Sequence, residues 1–146
     1  MNYIKLLPQM IGLMLVALLL VACSVTQPDQ RVKVFHKAIN AIKPGKEVEE
    51  GKIEIGKGMN TLSDILEEHT TSSLLSMNFL EMAMASGKVR YSNVEYELVS
   101  ESDECAVVKA VGDITIWEET RAFKEEYVVV RQGEQWLIDF SAKSCH

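Results

Sequence analysis

At Val89 the spacing of apolar residues changes from helical to alternating, and this change does most to limit the folds open to the chain. Upstream, Val32, Phe35, Ala38, Ile39 and Ile42 recur at intervals of three and four. That spacing predicts a helix over 31–42, ended by Lys43-Pro44-Gly45. Residues 46–59 read as a loop with at most a short strand around Ile53 and Ile55. Thr61-Leu62-Ser63-Asp64 resembles a capping pattern and predicts a second helix from Thr61 to about His69. Leu74, Leu75, Phe79, Leu80, Met82 and Ala83 predict a third helix, stopped by Gly87. Downstream, the alternation predicts four strands at Val89–Val99, Cys105–Trp117, Phe123–Arg131 and Trp136–Phe140. Their connections are short enough for antiparallel hairpins. Helices followed by a meander predict an α+β domain, with N-terminal helices packed on a curved, cone-like, four-stranded antiparallel sheet.

Side chains alternate between the two faces of a strand, so the even-numbered positions sort together. They form an almost wholly apolar set, from Val94 to Phe140, expected to face the helices. Tyr96 and Glu126 are the titratable groups expected on this inner face, and a bulge near Gly112 would bring Asp113 inward. Ala106, Ala110 and Gly112 are small and, with Tyr96, mark a hollow open to an apolar ligand unless side chains such as Phe79 and Met82 fill it. On the odd, outward positions, Val107, Val111, Trp117, Tyr127, Val129 and Leu137 interrupt the polar pattern and mark a candidate interface. His36 lies beside the core stripe of the first helix, and His36, His69 and His146 share no metal-ligand spacing. Each histidine therefore reads as structural, and no metal, cofactor or catalytic residue is expected.

The order of elements and the closing stretch YVVVRQGEQWLIDF at 127–140 resemble the nuclear-transport-factor-two-like, or cystatin-like, superfamily of small curved-sheet cones. Many of its members are lipid-anchored envelope proteins of unknown function, and they often pair through the outer side of the sheet. The chain departs from that pattern in residues 46–59, which show no extra hairpin, and no family catalytic residue can be placed on it.

Met10–Ala22 is a run of 13 apolar or small residues preceded by a single side-chain cation, Lys5. A bilayer-spanning helix needs about 20 such residues, so the run suits the apolar region of a secretion signal better than a permanent span. It ends in Leu20-Val21-Ala22-Cys23, which resembles the lipobox of bacterial lipoproteins. The resemblance implies cleavage after Ala22 and acylation of Cys23, with palmitate-like chains as the anchor. At ~0.8 kcal/mol per buried CH₂, several such chains hold a domain on a bilayer. Residues 1–22 are then a signal peptide, 23–30 the lipidated cysteine and a short tether, and 31–146 one domain. Ser24 is not the aspartate that marks inner-membrane retention in that family. The expected address is the cell envelope, on the outer membrane facing the periplasm where two membranes exist.

With Cys23 lipidated, Cys105 and Cys145 remain as a candidate disulfide in an oxidising compartment. Strands of about ten residues oppose the pairing, because they would carry Cys145 to the far end of the sheet, ~30 Å from Cys105. The chain carries 15 basic and 21 acidic side chains, and loss of the signal removes one base, Lys5, and no acid. That balance excludes a nucleic-acid partner, which needs a basic stripe. Anchoring is left to the acyl groups rather than to anionic head groups. The expected function is a non-catalytic, membrane-anchored binding module for another envelope protein or for itself, as a homodimer. The alternative is a small-molecule or lipid carrier using the hollow between helices and sheet.

Overall fold

The computed structural model describes residues 27–45, 47–49, 52–53, 55–72 and 75–145. The expected signal peptide, Cys23 and His146 lie outside these residues. Among the described residues no helix is long and apolar enough to cross a membrane.

Helix α1 (Pro28–Ala41) begins three residues earlier than the apolar spacing predicts. Proline is preorganised for the first helical turn, and Asp29 sits at the positive end of the helix dipole. Pro28, Asp29 and Gln30 therefore belong to the domain and not to a tether. A small antiparallel pair follows, β1 (Glu47–Glu49) and β2 (Lys52–Ile53), which corrects the expectation that this region lacks a hairpin. Helix α2 (Gly56–His69) starts ahead of Thr61, which is no cap: its hydroxyl donates to the Lys57 carbonyl at 3.0 Å inside the helix. Helix α3 (Phe79–Ala85) is shorter than predicted. The Asn78 side chain accepts the Glu81 N–H at 2.9 Å and fixes the helix start at Phe79, while Leu74 lies outside the described residues.

Strands β3 (Val89–Glu101), β4 (Cys105–Ile116), β5 (Glu119–Gln132) and β6 (Gln135–Ile138) form one open antiparallel sheet in the order β3-β4-β5-β6. The fold is α+β, as the change of period at Val89 implies. Two-residue turns join β4 to β5 and β5 to β6, with left-handed φ of 60° at Trp117 and 64° at Gly133.

Register decides which residues share a face. In β4 and β5, Ala106 opposes Val129, Val108 opposes Tyr127, and Ala110 opposes Glu125. Directly opposed residues lie on the same face, so the even positions of β4 are joined by the odd positions of β5. Tyr127 and Val129, expected on the outer face, thus point into the core, and Val129 is fully buried. Glu126 is corrected the other way: it opposes Lys109 on the outer face.

The expected bulge occurs, but in β3 and not β4. Asn93 and Val94 together oppose Gly112 between the pairs Ser92–Asp113 and Glu95–Val111, with Asn93 left-handed at φ 53°. The inner face of β3 therefore carries Val89 and Tyr91 before the bulge, and Tyr96 after it. Asp113 stays outside, where its carboxylate accepts the Asn93 side-chain N–H at 2.8 Å.

Helix α1 lies across the inner face and buries Val32, Phe35, His36 and Ile39 on it. These side chains fill the expected hollow, so Ala106 and Ala110 are fully buried and line no open pocket. Over Gly112 the space is taken by the β3 backbone. Phe79 and Met82, expected to fill the hollow, are instead exposed.

Cys105 and Cys145 form a disulfide, with Cα atoms 5.7 Å apart. The expected separation fails because β6 stops at Ile138, opposite Val129, one residue from the Cys105–Val130 pair. The tail from Asp139 never travels towards the β4–β5 turn. Cys105 shares the outer face with Val107, Val128, Val130 and Leu137, so the tail returns over that face. Val128 is accordingly buried there, and Val107 and Leu137 are half-buried.

Candidate functional site

Three arrangements of side chains carry chemistry, and the first centres on His36. It belongs to the buried stripe of α1, four residues after Val32 and three before Ile39, and it is 2 % exposed. Its Nδ1 lies 2.9 Å from the Tyr96 hydroxyl and its Nε2 lies 2.9 Å from the Tyr127 hydroxyl. Its ring stacks on Tyr91 at 3.9 Å and 9°, and Phe123 meets both rings edge-on. Burial lowers the His36 pKa to about 4. Burial also pushes Tyr91 and Tyr96 up to about 12 and raises Tyr127 further, with the Glu125 carboxylate adding to the shift at Tyr91 and Tyr127.

All four rings are therefore neutral near pH 7. A neutral imidazole has one N–H and one lone pair, so one tyrosine accepts from His36 and the other donates to it. Both ring nitrogens are occupied, which leaves no lone pair facing a substrate in this arrangement. A buried polar group is stable only when it is paired, and here the pairing locks α1 to β3 and β5.

The second arrangement joins α1 to the end of α2. Arg31, 4 % exposed, donates from Nη1 to Nδ1 of His69 at 2.6 Å. Since Nδ1 accepts, the ring hydrogen sits on Nε2, which faces Glu68 Oε2 at 3.9 Å. Burial lowers the pKa of Arg31, partly offset by Glu68. Burial also lowers His69, with Glu68 opposing and the neighbouring guanidinium adding. The Arg31 Nε is buried without a partner among the described residues. The pair carries charge into the domain but presents none of it to solvent.

The third arrangement is open. Phe79, Lys88, Ile116, Trp117, Glu118, Glu119 and Arg121 line a groove of about 540 Å³ between the start of α3 and the β4–β5 turn. The Trp117 N–H donates to the Lys88 carbonyl at 2.8 Å, which ties the turn to the start of β3. Phe79 is 67 % exposed and Trp117 43 % exposed. Met77, Leu80 and Met82, on the same helix or just before it, are exposed as well. Rim charges of both signs come from Lys88 and Arg121 and from Glu118 and Glu119.

Of the residues singled out in the sequence, Tyr96 and Tyr127 meet at His36, Cys105 and Cys145 are joined, and Trp117 lines the groove. Val111 is exposed on the outer face. The sequence placed His36 beside the α1 stripe and not in it, and its partners lie 60 and 91 residues away, beyond any local pattern. The groove depends on where α3 begins, which the Asn78 cap decides. No protein-family model matches this chain, and it matches no curated protein and no solved structure.

Proposed function

We propose that this chain is a lipid-anchored envelope protein, held by acyl groups on Cys23, that works as a non-catalytic binding module for another envelope protein. The observation that carries the reading is the groove between Phe79 and Trp117. Apolar side chains of this size are costly to leave in water at about 25 cal/mol per Å². Their concentration at one end of the domain suits a contact surface. The rim favours a polypeptide occupant, because it offers two cations and two anions rather than the single sign that a lipid head group would select.

Position supports the same reading. Helix α1 runs from the domain start at Pro28 to Asn40, whose side chain bonds both backbone groups of Tyr91 near the start of β3. Its 14 residues span ~20 Å, so the groove lies at the opposite end of α1 from Pro28 and the expected anchor.

The test replaces Phe79 by a photoreactive phenylalanine in the full chain in cells, with the exposed Glu101 position as control. The reading expects a crosslink from position 79 to one envelope protein, identified by mass spectrometry, and its loss on Trp117→Asp. Equal crosslinking from both positions, or none from 79, overturns it.

A further inference from the structure

We propose that two copies of this chain pair along the free edge of β5, antiparallel, with Phe123 opposite Phe123. The pairing uses the sheet edge and does not depend on the groove's having a partner, although Glu119 and Arg121 at one end of that edge also line the groove.

Strand β5 is paired with β4 without interruption from Glu119 to Val130. On its other side β6 reaches only residues 129–132, and the Asp139 N–H adds one bond to the Val128 carbonyl. Among the described residues, 119–127 have no strand partner on that side. This is a nine-residue edge with no proline, and its register against β4 is unbroken by any bulge. Those are the devices that usually blunt an edge. Charge is the remaining one, and here its order matters.

In an antiparallel strand each residue directs its N–H and C=O to one side, and neighbours alternate. The Val128 carbonyl points towards β6, so Thr120, Ala122, Lys124 and Glu126 present their backbone groups to the free edge. A symmetric pairing must set these even positions against one another, which restricts it to registers centred on a single residue. Centring on Arg121, Lys124 or Glu125 puts a like charge opposite itself. Centring on Ala122 opposes Glu119 and Glu125. Centring on Phe123 sets Arg121 opposite Glu125 of the second copy, twice by symmetry, in the non-hydrogen-bonded pairs where side chains approach most closely. It also sets Ala122 opposite Lys124 and Thr120 opposite Glu126, which complete the backbone ladder.

Phe123 gives the centre an apolar contact. It is half-buried and already held against Tyr91, with ring centroids 5.4 Å apart. Pairing covers its remaining surface with the same side chain of the second copy. The two-fold axis is normal to the sheet, so both helical layers lie on one side of a continuous eight-stranded sheet. Pro28, the start of α1, then lies on the same face of the sheet in both copies.

The test uses the full chain in detergent, with mass measured by light scattering across a concentration series. The expected result is a dimer that Arg121→Glu and Glu125→Arg each weaken about tenfold or more. The double variant, with the charges exchanged, restores dimerisation to near the original. Circular dichroism confirms that each variant is folded. A chain that stays monomeric at every concentration overturns the proposal. So does a dimer indifferent to the single changes, or a double variant no better than the singles.

Discussion

The Cα of Val94 lies 2.8 Å from the point that a Cβ on Gly112 would occupy, with the carbonyl oxygens of Asn93 and Ser92 at 2.9 Å. These are backbone atoms of the β3 bulge, and no side-chain rotation moves them aside. Gly112→Ala is expected to lower stability by about 1–3 kcal/mol, the usual range for overpacking. A fall in the urea midpoint at unchanged slope is the readout. A variant as stable as the parent would show that β3 can lift off Gly112 without loss.

Cys105 and Cys145 close a loop of 40 residues that spans β4, β5 and β6. In the chain-entropy treatment a loop of that length stabilises by about 4 kcal/mol, chiefly by restricting the unfolded chain. Cys105→Ser is expected to cost that order of stability. It also frees the tail from the outer face, so hydrogen exchange at Val107 and Val128 should quicken relative to that at Val89. Unaltered exchange at Val128 would mean that the tail covers the face without its covalent tie.

The strands were legible because a two-residue period survives any register. The faces were only partly so, because they depend on how strands are joined. The two-residue turn that sets Ile116 opposite Glu119 gives β5 the opposite parity to β4, and this moved Tyr127 and Val129 from the expected outer face to the core. A single extra residue at Asn93 reverses β3 in the same way. The disulfide was hidden because the separation was reckoned from strands of about ten residues, whereas the last strand has only four and the tail leaves it at Ile138, close to the Cys105–Val130 pair. The groove was illegible because it is made by Phe79 and Trp117, which belong to elements far apart in the chain.

Arg31 and His69 are unequal partners, and removing them should have unequal effects. His69→Leu leaves the buried guanidinium without the acceptor at 2.6 Å, with Nε already unpaired. Stranding a buried donor costs about 1–3 kcal/mol, and more for a charged one. Arg31→Met removes the charge and leaves only a neutral imidazole that still faces Glu68, so its cost should be smaller. The double variant Arg31→Met with His69→Leu is expected to be more stable than His69→Leu alone, since two apolar side chains replace a buried polar pair. Urea denaturation of the four proteins gives the coupling directly. Additive losses would mean that the two groups do not depend on each other.

His36 makes acid the condition that tests the core. In the unfolded chain it titrates near 6.5, and in the folded protein burial holds it at about 4. Between those values the unfolded chain binds a proton that the folded protein refuses, so falling pH favours unfolding. The contribution is fully present above pH 6.5 and is lost progressively down to about pH 4. At roughly 1.4 kcal/mol per unit it amounts to about 3 kcal/mol across the window. His69, lowered by burial, acts in the same direction. His36→Phe lowers stability at every pH by removing a hydrogen-bond partner from the Tyr96 and Tyr127 hydroxyls, yet it should flatten the dependence between pH 6.5 and 4. Slope, not absolute stability, is therefore the readout in urea titrations across that range. An equal slope in the variant would place the acid sensitivity elsewhere, and His69→Leu would then be the change to examine, since its imidazole is the other one held neutral by burial.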